Sequence, residues 1–215
     1  MAEPDVAAGV RPVITLWESA GSQMEAIGQR LAEILGLPLH GQAVSSADIA
    51  RAFAADDSED DQFIRLLQSF GSDSVVQDVL SQTDLASLHG RIAENARDVQ
   101  RWAREGGVLM GRNGAYVLRG WPNALHVWLD GPEPARVNRA ADALDSASEM
   151  VAVQLRFEDE LRVSMSVFGY GYDPRDLEYY DLVVNTCRLD VEEAAQLIAA
   201  AVRVRLGDPG DANLA

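Results

Sequence analysis

The chain contains no lysine. All 18 of its basic residues are arginine, set against 34 acidic residues, for a formal net charge of -16. So acidic a protein repels polyanions, which argues against nucleic acid or an anionic membrane as its partner. An anionic small ligand would need a local cluster of arginines. Arginine at every basic position reflects the bias of a GC-rich genome, not selection at sites. Cysteine is nearly as scarce: the single Cys187 excludes an internal disulfide and a cysteine metal cluster, and it fits a reducing cytoplasm. The three histidines, His40, His89 and His126, have no metal-ligand spacing, so no metal site is expected. No apolar run approaches the ~18 residues needed to span a membrane. The start Met-Ala-Glu-Pro-Asp lacks an export-signal core, and a cytoplasmic protein is expected. Also missing are a G-x-S-x-G elbow, the spacing of a calcium loop in the acidic run Asp56–Asp61, and the G-x-x-x-x-G-K-[ST] motif of a working phosphate loop.

What is present begins with Val13-Ile14-Thr15-Leu16-Trp17, a β-branched apolar run. A small-residue turn, Glu18–Gln23, follows, and then Met24–Leu35 with apolar residues at Ile27, Leu31, Ile34 and Leu35. Strand, turn and helix in that order are the layout of a phosphate-binding loop. Gly21 and Ser22 allow close backbone approach, and the helix start aims unpaired N–H groups at an anion. Gly36 suits a C-cap and Leu37-Pro38-Leu39 a short extended piece. A helix capped by Ser45 or Ser46 should follow, with the acidic run as a solvated loop and helical pattern from Gln62 to Arg104, broken near Gly71 and Gly90. Stripes Val75–Leu80 and Leu88, Ile92, Ala96, Val99, Trp102 read as core or as a dimer-facing surface.

Val108–Met110 reads as a strand running into Gly111-Arg112-Asn113-Gly114, and Ala124–Leu129 as another. Helices are expected over Pro134–Leu144 and Ser148–Val167, a loop over Phe168–Pro174, and a last strand at Leu182–Asn185. Asp190 should cap a final helix facing the core through Val191, Ala194, Ala195, Ile198 and Val202. Strands alternating with helical connections predict one α/β domain with a parallel sheet, Val13–Trp17 at its centre between Val108–Met110 and Leu182–Asn185. Ligands bind at the carboxyl ends of such strands, which selects Glu18–Gln23, Gly111–Asn113, Asp130–Pro132 and Asn185–Arg188 as the rim of a site.

Thr15-Leu16 with Gly21-Ser22, Ile27–Glu33 and Leu35–Pro38 resemble the opening of the cytidylate kinase-like family of P-loop nucleoside monophosphate kinases. Met110-Gly111-Arg112 with Ala115–Leu118, then Asn123–Leu129, then Tyr180–Thr186 resemble three later blocks of that family, in order. The resemblance implies a three-layer P-loop-kinase-like fold, a parallel sheet with helices on both faces and a helical lid. Length and composition predict one domain over 12–206 between disordered tails 1–11 and 207–215; the resemblance implies a lid over 145–178 and leaves 41–105, which shows no family motif, as a helical monophosphate-binding or insert region. It assigns cofactor contacts to Gly21, Ser22, Gln23 and Met24, substrate contacts to Arg112 and Arg156, and catalysis to Arg136, Arg139 and Arg162. Phosphoryl transfer rests on positioning and on neutralising charge, a task that suits arginine's bidentate fork.

The chain departs from the family where Gly-Gly-Arg-Glu is expected after Gly-Ser: it reads Gln23-Met24-Glu25-Ala26. Bulk replaces glycine and an anion replaces a cation, so ATP with Mg2+ is expected to bind weakly or not at all. Each residue also has a plainer reading. Glu25 suits a first-turn helix acid aided by capping from Ser22. Arg112 suits a structural ion pair, and Arg136, Arg139, Arg156 and Arg162 suit surface pairing, each pair sharing one helix side. Asp130 suits a cap, Cys187 an inert core thiol, and Tyr170, Tyr172, Tyr179 and Tyr180 a packed loop as well as a base-stacking surface. Two functions stand: a nucleotide-binding kinase acting on a nucleoside monophosphate or similar phosphorylated acceptor, or a pseudoenzyme kept for regulation. A homodimer or another protein partner stays open.

Overall fold

The structure, a computed structural model, describes residues 11–42 and 85–207. The expected helix from Ser45 or Ser46, the acidic run, the break near Gly71 and the stripe Val75–Leu80 lie outside these residues, as do most of both tails.

Strand β1 (Val13–Glu18) is buried along its whole length, as its apolar run requires. It leads into α1 (Met24–Leu35), whose buried face carries Met24, Ile27, Leu31 and Leu35. After β2 (Leu39–His40) and α2 (Leu85–Glu105) come β3 (Gly107–Met110), the short α3 (Gly114–Val117) and β4 (Ala124–Asp130). Helices α4 (Glu133–Leu144) and α5 (Ser148–Tyr170), a single 3-10 turn at Leu177–Tyr179, β5 (Leu182–Asn185) and α6 (Val191–Leu206) complete the described chain.

The five strands are parallel, in the order β2-β3-β1-β4-β5. The central place of β1 and its pairing with β3 match the reading of the sequence, but its other neighbour does not. Leu182–Asn185 lies one strand further out, pairing Val127 with Leu182, while β4 fills the place beside β1. The two strands differ in length and burial: β4 runs seven residues and is buried at five, whereas the four-residue β5 at the sheet edge has two exposed.

Helices α1 and α6 cover one face of the sheet, closing a core of Ile14, Leu16, Ile27, Leu31, Leu129 and Ile198. On α1, Gly28 lets the helix lie close, since a Cβ there would come within 2.8 Å of Met110 Sδ. The other face packs Val13 and Leu109 against Val99 of α2 and Leu118 after α3. Asp190 caps α6 in a reciprocal capping box with Glu193, and Ala194, Ala195, Ile198 and Val202 are buried, as expected.

Two helices outrun their expected ends. α2 continues through Gly90 without a break, and α5 continues through Phe168-Gly169-Tyr170, read from the sequence as loop. Gly169 is helical because α2 passes close by: a Cβ would meet Ile92 Cδ1 at 3.2 Å. The turn of the chain comes at Gly171, whose φ is 72°. Among the described residues no helix is long and apolar enough to cross a membrane.

Candidate functional site

The turn between β1 and α1 stands at the carboxyl end of the central strand. Gly21 has φ 82° and Gln23 φ 63°, and no side chain of the turn caps α1. The capping expected from Ser22 is absent: its hydroxyl is fully buried with no hydrogen-bond partner. The cap is Glu18, the last residue of β1, whose Oε2 accepts the Met24 N–H at 3.0 Å. A second carboxylate arrives from α5, where Asp159 Oδ1 accepts the Ala20 N–H at 2.6 Å. Ser22 N–H donates back to Ser19 O at 3.1 Å. Met24 belongs to the core beneath the turn, while Gln23 and Glu25 are exposed. The negative charge facing the turn therefore comes from Glu18 and Asp159, not from Glu25.

Three of the arginines singled out in the sequence converge on this turn. Arg136, buried on α4, donates to Gly131 O at 3.0 Å and to Ala20 O at 2.5 Å, and lies 3.3 Å from Asp159 Oδ2. Arg139, one turn further on, bridges Gly21 O and Thr186 O, both at 2.5 Å. Arg162 on α5 reaches Glu18 Oε1 at 3.4 Å and pairs with Glu158 one turn back. Arg156 is elsewhere, in an exposed pair with Glu133 at 2.6 Å. Arg136 and Arg139 do share a side of their helix. Arg156 and Arg162 do not, because six residues turn an α-helix by about 240°.

Burial pushes the Glu18 carboxyl above its usual value, against the pull of Arg162 and the Met24 N–H, with Glu158 and Asp159 adding repulsion. Burial likewise raises Asp159, opposed by the Ala20 N–H, Arg136 and Arg162. Space over the turn is also taken. Ala20 is fully buried in an apolar cluster with Val137, Ala141, Val151 and Leu155, and a Cβ on Gly21 would lie 3.1 Å from Leu155 Cδ1. Helices α4 and α5 are packed down onto this turn.

The turn after β3 holds Arg112. Gly111, Arg112 and Asn113 all have left-handed backbone, costly for the two with a Cβ and typical of a turn held by its surroundings. Arg112 Nε donates to Gly41 O at 2.6 Å, and its guanidinium lies 4.9 Å over the Trp102 ring, which in turn stacks on His40. Among the described residues Arg112 makes these backbone and ring contacts and no ion pair. Asn113 Oδ1 instead faces α5, accepting from Tyr172 OH at 2.8 Å and lying 2.7 Å from Ser166 Oγ. Tyr116 stacks on Tyr172 at 4.5 Å, and Tyr179 meets Tyr172 edge-on, so these rings pack mutually. Tyr180 joins Trp17 and Trp128 instead.

Of the remaining rim residues, Asp130, Gly131, Pro132 and Asn185 line an open cavity of about 330 Å³ with Val183, and Thr186, Cys187 and Arg188 do not. Asp130 ends β4 and does not cap α4, whose cap is Pro132. Cys187 is half-buried just past β5. Sequence reasoning placed Glu18 on the rim without giving its carboxylate a role, and missed Glu158 and Asp159. A carboxylate at the end of an otherwise apolar central strand was the available signal for Glu18; the helical acids carried none.

The sequence profile of the cytidylate kinase-like family matches residues 13–188. The cytidylate kinase of Methanopyrus kandleri is 30% identical over 201 aligned residues, covering 88% of this chain and 92% of that protein. The uronate isomerase of Corynebacterium glutamicum is 32% identical over 140 residues, which is 65% of this chain but 27% of that longer one, so the chain spans about a quarter of it. An uncharacterised protein from Eubacterium ventriosum has a similar structure, with a TM-score of 0.58 at 16% identity, covering 91% of this chain and 100% of that one. The profile match runs from the first residue of β1 to the turn after β5, taking in all five strands and the turn between β1 and α1, and on that extent the chain belongs to the cytidylate kinase-like family.

Proposed function

We propose that this chain is a catalytically inactive member of its family, a nucleotide-kinase fold kept for regulation or for binding a protein partner. Family and fold support a nucleotide-kinase-like function in general terms. The observation that carries the finer reading is the occupation of the phosphate loop by the chain's own carboxylates. Glu18 takes the Met24 N–H and Asp159 the Ala20 N–H, the groups a donor phosphate would need. ATP with Mg2+ does not fit the residues present. The chain has no lysine to span the outer phosphates, Arg136 and Arg139 are spent on loop carbonyls, and Arg162 is paired with two glutamates. A triphosphate brought to this turn would meet the buried Glu18 carboxylate and the partly exposed one of Asp159, a repulsion of about 4 kcal/mol per pair of unit charges ~4 Å apart at an effective dielectric near 20.

The competing reading is phosphoryl transfer to a nucleoside monophosphate or similar acceptor, favoured by the length of the match to cytidylate kinases. A coupled assay with MgATP and CMP separates the two. No turnover, and no rise in melting temperature with MgATP, is the expected result. Turnover at about 1–100 per second, the ordinary range for kinases, overturns the inactive reading.

A further inference from the structure

We propose that α5 is an autoinhibitory strap. Its Asp159 carboxylate, with Glu18 beneath it, sits in the phosphate loop as a built-in anion, and removing it uncovers a site for a phosphate-sized oxyanion. The proposal rests on the inactive reading above and adds to it the device that closes the loop.

The donors around the two carboxylates are those an oxyanion takes. Two backbone N–H groups converge on them, from Ala20 at 2.6 Å and Met24 at 3.0 Å. Two guanidiniums stand behind, Arg136 at 3.3 Å from Asp159 and Arg162 at 3.4 Å from Glu18. The fully buried, unpartnered Ser22 hydroxyl adds a polar group that the occupying carboxylates leave unused. Backbone N–H groups at a helix start with arginine behind them bind phosphate and carboxylate alike, so the loop's own carboxylates satisfy the donors that an external anion otherwise would.

The two carboxylates differ in freedom. Glu18 belongs to the central strand and cannot withdraw. Asp159 rides on α5, which is tied down by its bond to Ala20, its pairing with Arg136, and the contact of Leu155 and Val151 with Ala20. Lifting α5 breaks these together and frees the Ala20 N–H and the side of Arg136 that faces Asp159, while Arg136 keeps its bonds to Gly131 O and Ala20 O and Arg162 moves with the helix, so the strap and the anion site are one equilibrium.

The test uses the full chain with Asp159→Ala, and inorganic phosphate, tripolyphosphate and formate as probes. The wild type is expected to show no saturable binding by calorimetry. The variant is expected to bind phosphate or tripolyphosphate about tenfold or more tightly than the wild type, the worth of a regained charge-assisted contact. The Ala20 amide should shift on binding, and formate should compete by replacing the missing carboxylate. A folded variant blind to all three probes overturns the strap. If the variant does not fold, the wild type decides. The Ala20 amide must be protected from hydrogen exchange, and its nitrogen shift must follow the titration of Asp159; an amide that exchanges freely overturns the proposal. The two readings fail separately, because ATP turnover by the wild type sinks the inactive reading, whereas a folded, anion-blind Asp159→Ala in an inactive protein sinks only the strap.

Discussion

Exposure decides what a charge does at the level of the single residue. Glu25 follows the loop in sequence but is solvated, so water screens it. Glu18 is 5% exposed and keeps its field. His126 shows the same rule on the far side of β1. It lies with Nδ1 2.8 Å from Thr15 Oγ1, and burial pushes its pKa below 6.5, against the pull of Asp181. The neutral ring is the form that fits. As pH falls below 6.5 the unfolded chain takes up a proton that the folded one resists, and stability drops. Urea midpoints measured from pH 8 to 5.5 should show this decline. His126→Asn should flatten it, and a variant declining in parallel with the wild type would assign the effect to other groups.

Secondary elements differ in what holds them. α6 is fixed by its buried alanines, by Ile198 and by the Asp190–Glu193 box, all local in sequence. Asp190→Ala should therefore cost about 1 kcal/mol in urea unfolding with an unchanged m value, and a loss of several kcal/mol would mean that Asp190 serves more than the helix start. α5 is fixed by distant partners: Ala20 and Glu18 from the loop, Asn113 from the turn after β3, and Ile92 from α2. Its apolar residues fall on more than one side, Val151, Leu155 and Val163 being buried and Met165, Val167 and Phe168 exposed. Its end reads as loop in the sequence because Gly169, Gly171 and Pro174 follow one another closely. The glycine that signals a break in isolation is the residue that allows α2 to pass.

The molecule as a whole carries a formal charge of -16. Self-repulsion at that charge opposes the compact state and is screened by salt. The melting temperature should rise between ~0.02 M and ~0.3 M sodium chloride as the Debye length shrinks; a midpoint that falls would show that ion pairs such as Arg136 with Asp159 outweigh the net repulsion. The same charge bears on the loop, since an incoming polyanion must approach an anionic protein before meeting Glu18 and Asp159. Closure of the site and repulsion from the surface therefore act in one direction.

Composition and periodicity by themselves determined the α/β class, the central place of β1 and the capped α6, because each follows from local pattern within one or two turns of chain. The absence of lysine and of the G-x-x-x-x-G-K-[ST] pattern is equally local, and it set the expectation of weak triphosphate binding. Only the tertiary structure decided that β4, not β5, lies beside β1, since order in a sheet depends on which strand buries more area against both neighbours. The destinations of the arginines were likewise hidden: Arg136 and Arg139 turn in to loop carbonyls, Arg156 turns out to Glu133, and Arg112 lies over Trp102. Above all, the bond from Ala20 to Asp159 joins residues 139 positions apart. No period in the sequence connects them; they meet because α5 packs its apolar side onto the turn at the end of the first strand.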